Sequence, residues 1–162
     1  MIIIAPWARK LPEDKSQPKN YPWWPRVIEL LGDSEPIIQV GVEGEKQLVP
    51  DFRKNLKLTE LCELLQECRT WCSVDSFFQH LAWDLGKPGV VIWGQSDPII
   101  FGHPENINLL KDRKYLREKQ FWLWSQTPFK PEAFVTPEEV KTAILWFKSY
   151  QNLLPIMPTR TT

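Results

Sequence analysis

The sequence predicts an α/β domain, a mainly parallel sheet flanked by helices, and three observations carry that expectation. Short, uninterrupted apolar runs such as Ile2-Ile3-Ile4-Ala5 and Val90-Val91-Ile92-Trp93 have the character of strands buried on both faces rather than on one. Between such runs lie segments whose apolar residues recur at helical spacing, such as Leu58, Leu61, Leu64 and Leu65. Strand and helix signals also alternate along the chain, which favours crossover connections and hence parallel pairing.

The elements follow in order. Ile2 to Ala5 forms the first strand and stops at Pro6, and residues 6–25, rich in proline, lysine and tryptophan, read as a loop. Residues 26–31 form a short helix closed by Gly32, and 36–40 a second strand. Gly41 and Gly44 break the pattern before residues 45–49. The leucine-spaced helix leads to a strand at 71–74, then a helix at 76–85 ended by Gly86-Lys87-Pro88, then the strand 89–93. Residues 106–110 form a last short strand, and the charged stretch 111–119 reads as solvated surface. Thr136-Pro137-Glu138-Glu139 combines an N-cap threonine, proline at the first helical position and glutamate at the third, and opens a helix running to about residue 151. The domain is expected to span residues 1–154, with 155–162 a flexible tail.

Composition narrows the function classes. A chain of 162 residues with 43% hydrophobic content makes one ordinary domain with a real core. Twenty basic residues balance twenty acidic ones, so the net field does not steer the chain to nucleic acid or anionic membrane. No apolar run reaches the roughly 20 residues that cross a bilayer, and the N-terminal apolar run lacks the flank and length of a signal peptide, so a cytoplasmic protein is expected. Cys62, Cys68 and Cys72 match no common zinc spacing and read as free thiols, with no metal site and no cofactor implied.

Residues 73–94 carry the most information, because strand, turn, helix and strand follow in one stretch. The helix start at Ser76 offers free backbone N–H groups and a partial positive charge to a phosphate or another anion. Ser76 and Gln79 have capping-box spacing. Asp75, Asp97 and His80 are the local candidates for a base. Each also has a structural reading: a helix cap for Asp75, a turn for Asp97, a satisfied half-buried histidine for His80. Trp23-Trp24 and Trp122-Leu123-Trp124 either present aromatic patches to a partner or carbohydrate or fill the core and cover sheet edges. The second reading is favoured.

The order Ala5-Pro6-Trp7-Ala8, a lysine-bearing loop ending Trp24-Pro25, Gly41 to Glu45, Leu58-Thr59-Glu60-Leu61, Asp75-Ser76, His80-Leu81-Ala82, Gly86-Lys87-Pro88 and Trp93-Gly94-Gln95-Ser96-Asp97-Pro98 resembles the C-terminal half of glycosyltransferase family 9, the heptosyltransferase-like enzymes. The resemblance covers roughly residues 1 to 110. It implies a Rossmann-like domain, one half of a GT-B fold, that holds the nucleotide of a sugar donor. The turn Asp75-Ser76-Phe77 would give backbone N–H groups to the donor diphosphate, with His80 one turn on, Glu45 would meet the ribose, and Leu56 would lie where the base rests. Lys15 or Lys19 would neutralise phosphate, and Trp7 and Asp97 would stand at the pocket rim.

Two positions depart from the family pattern. Trp7 and Phe77 stand where the family has glycine, so they would either narrow the donor pocket or stack on a base or sugar. Nothing in the chain corresponds to the half that supplies the acceptor site and catalytic carboxylate. The resemblance therefore implies a nucleotide-sugar-binding domain that needs a partner protein or a second copy for transfer. The alternatives are a non-catalytic nucleotide-binding or sequestering protein, or an interaction module that keeps the fold.

Overall fold

The computed structural model describes residues 1–12, 17–33 and 35–151; Lys15 and the expected tail 155–162 lie outside the described residues. Six strands form one sheet: β1 (Ile2–Ala5), β2 (Ile37–Gly41), β3 (Asp51–Lys54), β4 (Thr70–Val74), β5 (Val90–Trp93) and β6 (Ile107–Leu110). Their order is β3-β2-β1-β4-β5-β6 and every pairing is parallel. The helices are α1 (Trp24–Leu31), α2 (Leu58–Glu67), α3 (Phe77–Asp84), α4 (Pro98–Phe101) and α5 (Pro137–Gln151). This is a Rossmann-like sheet in which the chain first builds one edge from β1 and then returns to build the other.

Both faces of the central strands are covered, which explains their unbroken apolar sequences. Ile2 and Ile4 point to a cluster shared with Trp24, Val27, Val140, Ile144 and Phe147 of α1 and α5. Ile3 and Ala5 point the other way, to a cluster with Leu64 and Leu65 of α2 and Phe78, Leu81 and Ala82 of α3. Strand pleating alternates the residues between the two clusters, and neither face is left to water. Trp71 and Trp93 are buried on the α2 and α3 side, and Trp24 on the other.

The start of α5 forms as its sequence dictates. The Thr136 N–H donates to Glu139 Oε2 at 2.8 Å and the Glu139 N–H donates to Thr136 Oγ1 at 3.3 Å, so each residue satisfies a donor of the first turn. The box expected at Ser76 and Gln79 does not form. Ser76 is the N-cap residue of α3 but makes no side-chain cap bond, and the fully buried Gln79 turns instead to Asp75, its Nε2 donating to Oδ1 at 3.1 Å. A nearly buried carboxylate needs donors more than a solvent-facing helix end does.

Three further differences have local causes. β3 is an edge strand of sequence Asp-Phe-Arg-Lys, mostly exposed, and so lacks an apolar run to announce it. Asp97-Pro98 opens the single turn α4 rather than a simple bend, because the Asp97 carboxylate accepts from the Ile99 N–H at 2.9 Å. Residues 111–130 fold back across the carboxyl ends of the strands instead of standing in solvent throughout. Arg117 is half-buried, its backbone N–H donating to the Gln95 carbonyl at 3.0 Å.

Candidate functional site

β1 and β4 are neighbours, yet the chain leaving β1 passes to α1 on one face and the chain leaving β4 passes to α3 on the other. The two loops diverge at the carboxyl edge, the place where open parallel sheets bind ligands. Asp75 stands there at the end of β4, and Lys19 reaches it from the loop after β1, with Nζ 2.7 Å from Asp75 Oδ2. The Asp75 side chain is only 5% exposed and that of Lys19 only 19%, so the pair is poorly screened.

Two residues from the folded-back segment complete the cluster. The guanidinium of Arg117 lies over the Trp124 ring at 3.4 Å, and Lys19 Nζ lies 4.7 Å from the centre of the same ring. Arg117 also donates to Thr127 Oγ1 at 3.0 Å and to the Gln120 carbonyl. Burial pulls its guanidinium below the ordinary value, while the charge of Asp75 acts in the opposite sense. The cluster thus holds two cations and one carboxylate beside the N-terminus of α3, where no side chain caps the helix. Its surplus of positive charge and free N–H groups suits an anion.

His80 sits one turn into α3, exposed, with Nδ1 2.9 Å from His103 Nε2. Trp83 stacks on His103 at 4.5 Å, and its Nε1 donates to Glu105 at 3.2 Å. Partial burial, followed by the neighbouring His103, lowers the basicity of His80, and Lys19 acts in the same sense against Asp75. Phe77 opens α3 with 65% of its surface exposed, so its ring lies outside the core rather than plugging it.

The other expected site residues make contacts of their own. Glu45 folds back on its own turn, Oε2 accepting from the Val42 N–H at 3.0 Å, and a Cβ on Gly41 would collide with that carboxylate. Burial raises the Glu45 carboxyl above its ordinary value, offset in part by the Val42 bond and then by Lys10. Trp7 is half-buried and pinned to the same loop, its Nε1 donating to the Lys46 carbonyl at 2.9 Å, while Leu56 packs against the cluster on the α2 and α3 side. Asp97 is committed to Arg113, at 2.6 and 3.2 Å, and this bond, opposed by some burial, holds its carboxyl below the usual range. A carboxylate so held is a weak proton acceptor.

Arg117 and Trp124 were not legible as site residues. Trp124 belongs to an aromatic pair, which is a signal, but Arg117 stands in a charged stretch and joins the site only because the chain doubles back. Among the described residues no three His, Cys, Asp or Glu side chains come together in a way that could hold a metal ion. Cys68 and Cys72 are buried free thiols, that of Cys68 pushed up to about 11 by burial, and Cys62 is half-buried.

An all-parallel sheet in this order, with Lys19 and Asp75 meeting at its switch point, defines a doubly wound α/β domain. The profile of glycosyltransferase family 9 (heptosyltransferase) matches residues 3–122, and the chain belongs to that family. No curated protein sequence matches it. Among solved structures it is similar to the heptosyltransferase TibC, described as a dodecameric, iron-containing enzyme in complex with ADP-D-β-D-heptose. The TM-score is 0.65 at 15% identity, over 93% of this chain and 45% of TibC, so the chain spans less than half the length of that protein. The likeness confirms the fold expected from the sequence.

Proposed function

We propose that this domain binds the nucleoside diphosphate portion of a sugar donor and forms the donor wall of a glycosyltransferase, one half of a GT-B fold. The observation that carries the reading is the Lys19–Asp75 pair at 2.7 Å across the switch point, with Arg117 behind it and the uncapped start of α3 beside it. A diphosphate entering there would take hydrogen bonds from the first N–H groups of α3 and exchange its solvent for the two cations. Lys19 would turn from Asp75 towards phosphate, and Asp75 would keep its bond from Gln79. Glu45, on the loop after β2, would accept from ribose hydroxyls. Transfer of the sugar would use an acceptor wall contributed by another polypeptide segment or a second copy.

Donor binding is tested by thermal unfolding against a panel of nucleoside diphosphates and nucleotide sugars. Ligand at about one hundred times its dissociation constant should stabilise by roughly 2.7 kcal/mol. Two variants give the specific readout. Lys19→Ala removes a cation. Phe77→Glu places a carboxylate at the first helical position, which suits the helix dipole but repels phosphate. Stabilisation that both variants abolish supports the reading, and absence of stabilisation by any nucleotide overturns it. Stabilisation without sugar transfer, once an acceptor wall is supplied, would favour the non-catalytic binder.

A further inference from the structure

We propose that the turn at residues 119–123, together with α4, docks the protein onto an anionic lipid surface. Phe121, Trp122 and Leu123 are consecutive and 83%, 53% and 60% exposed, and on α4 Ile99 and Ile100 are 78% and 46% exposed. The two elements are joined. Phe121 meets Phe101 edge to face at 5.3 Å, and the Asp97 N–H donates to Gln120 Oε1 at 2.9 Å. Scattered apolar residues on a surface mean little, but five on two adjoining elements form a patch that calls for a partner.

The patch is built and held in place. Gln120 Nε2 donates to the carbonyls of Gln95 and Arg117 at 3.1 and 2.7 Å, the Trp122 N–H closes the turn on the Lys119 carbonyl at 3.1 Å, and Trp122 Nε1 donates to Gln126 Oε1 at 2.7 Å. These bonds fix the backbone and leave the Phe121 and Leu123 side chains outside. The chain therefore spends its hydrogen bonds on presenting apolar groups to the exterior.

Charge selects the partner. Residues 111–130 hold six basic residues and two acidic ones, in a chain whose totals are equal. Lys111, Lys114 and Lys119 are exposed, Lys130 is half-buried, and Lys119 Nζ lies 5.3 Å from the Trp122 ring. Lysine is depleted in the centre of protein interfaces, whereas an indole and apolar tip with an ammonium group beside it, on a segment of net positive charge, matches the boundary of a bilayer with anionic headgroups. Such contact lies on the membrane and does not cross it; among the described residues no helix is long and apolar enough to span one. The proposal is independent of the donor reading, since it uses neither the Lys19–Asp75 pair nor a nucleotide.

Co-sedimentation of the full chain with phosphatidylcholine vesicles, with and without phosphatidylglycerol, tests it. Binding is expected to the anionic vesicles, to weaken as salt rises, and to weaken about fivefold in Lys119→Ala, the loss of one cation near the surface. The triple variant F121S/W122S/L123S should lose binding while still folding with a cooperative unfolding transition, since these side chains are exposed and the change forfeits only the Phe101 ring contact and the Gln126 bond. Failure of the parent chain to sediment with anionic vesicles overturns the proposal. So does equal binding to neutral vesicles, and so does a parent that is dimeric in light scattering but becomes monomeric in the triple variant without vesicle binding.

Discussion

Lys19 and Asp75 come from loops that leave adjacent strands in opposite directions, and their 2.7 Å contact bridges the point where those loops part. The pair makes the switch point a stability element as well as a binding element. Removing Lys19 leaves a carboxylate that is 5% exposed with, among the described residues, Gln79 Nε2 as its remaining side-chain donor. Lys19→Ala should destabilise by about 2 kcal/mol, below the cost of a fully buried pair because the lysine keeps some solvent. The double variant K19A/D75N should recover part of that loss in urea unfolding, since the uncompensated charge is gone. Additive single effects would show that the two groups do not interact in solution.

Glu45 yields a prediction of opposite sign. Its carboxyl is raised chiefly by burial, with the Val42 bond and Lys10 acting against it. A carboxyl with a raised folded pKa contributes stability at low pH that is lost as pH rises through that folded value. Glu45→Gln keeps an acceptor for the Val42 N–H and removes the buried charge, so at neutral pH it should be neutral to stabilising, within about 1 kcal/mol. If Glu45 reads ribose, the same variant should weaken nucleotide binding while leaving stability intact. Calorimetry of both properties on one variant separates the two roles.

How far the sequence reveals this architecture depends on what each segment buries. Strands β1, β4 and β5 are covered on both faces and announce themselves as apolar runs, whereas the exposed edge strand β3 carries Asp51, Arg53 and Lys54 and gives no such signal. Thr136 and Glu139 lie at an exposed helix end, where local chemistry decides and the capping motif holds. Ser76 and Gln79 have the same spacing, but Gln79 is fully buried and answers to Asp75 instead. Tryptophans split for the same reason: Trp24 fills the core while Trp23 beside it is 36% exposed, and Trp124 lies against Lys19 while Trp122 faces out. Arg117 depends on interactions that no local pattern records, a hydrogen bond to Thr127 and the charge of Asp75 across the fold.

Asp97 and Arg113 predict an acid transition. The Arg113 bond is the principal cause that depresses the Asp97 carboxyl, with burial opposing it. A depressed carboxyl contributes stability above its unfolded value, about 3.9, and loses that contribution as pH falls through the lower folded value. Arg113→Gln should therefore be less stable than the parent above about pH 5, and the two should converge as pH falls through the acid range. Melting curves between neutral and strongly acidic pH decide it; a difference that stays constant throughout would assign the loss to packing rather than to the charge pair.

Gly89 lies against Trp71 on the α2 and α3 side of the sheet. A Cβ there would overlap the indole of Trp71, which is 1% exposed and whose Nε1 donates to the Lys87 carbonyl at 2.9 Å. The ring lies where a side chain at residue 89 would stand, at the entry to β5, so a residue that carries one must displace the indole. Gly89→Ala should destabilise by about 1 to 3 kcal/mol through overpacking, because the indole is held by its hydrogen bond and by the edge of Phe78 at 5.4 Å. Trp71→Phe opens space at the same point but forfeits the bond to Lys87 and part of the core. In the double variant G89A/W71F the two losses should therefore be less than additive, as expected for residues in direct contact. Chemical unfolding of the four proteins measures the coupling, and a value near zero would mean that the Trp71 ring yields freely and that the glycine is not required by packing.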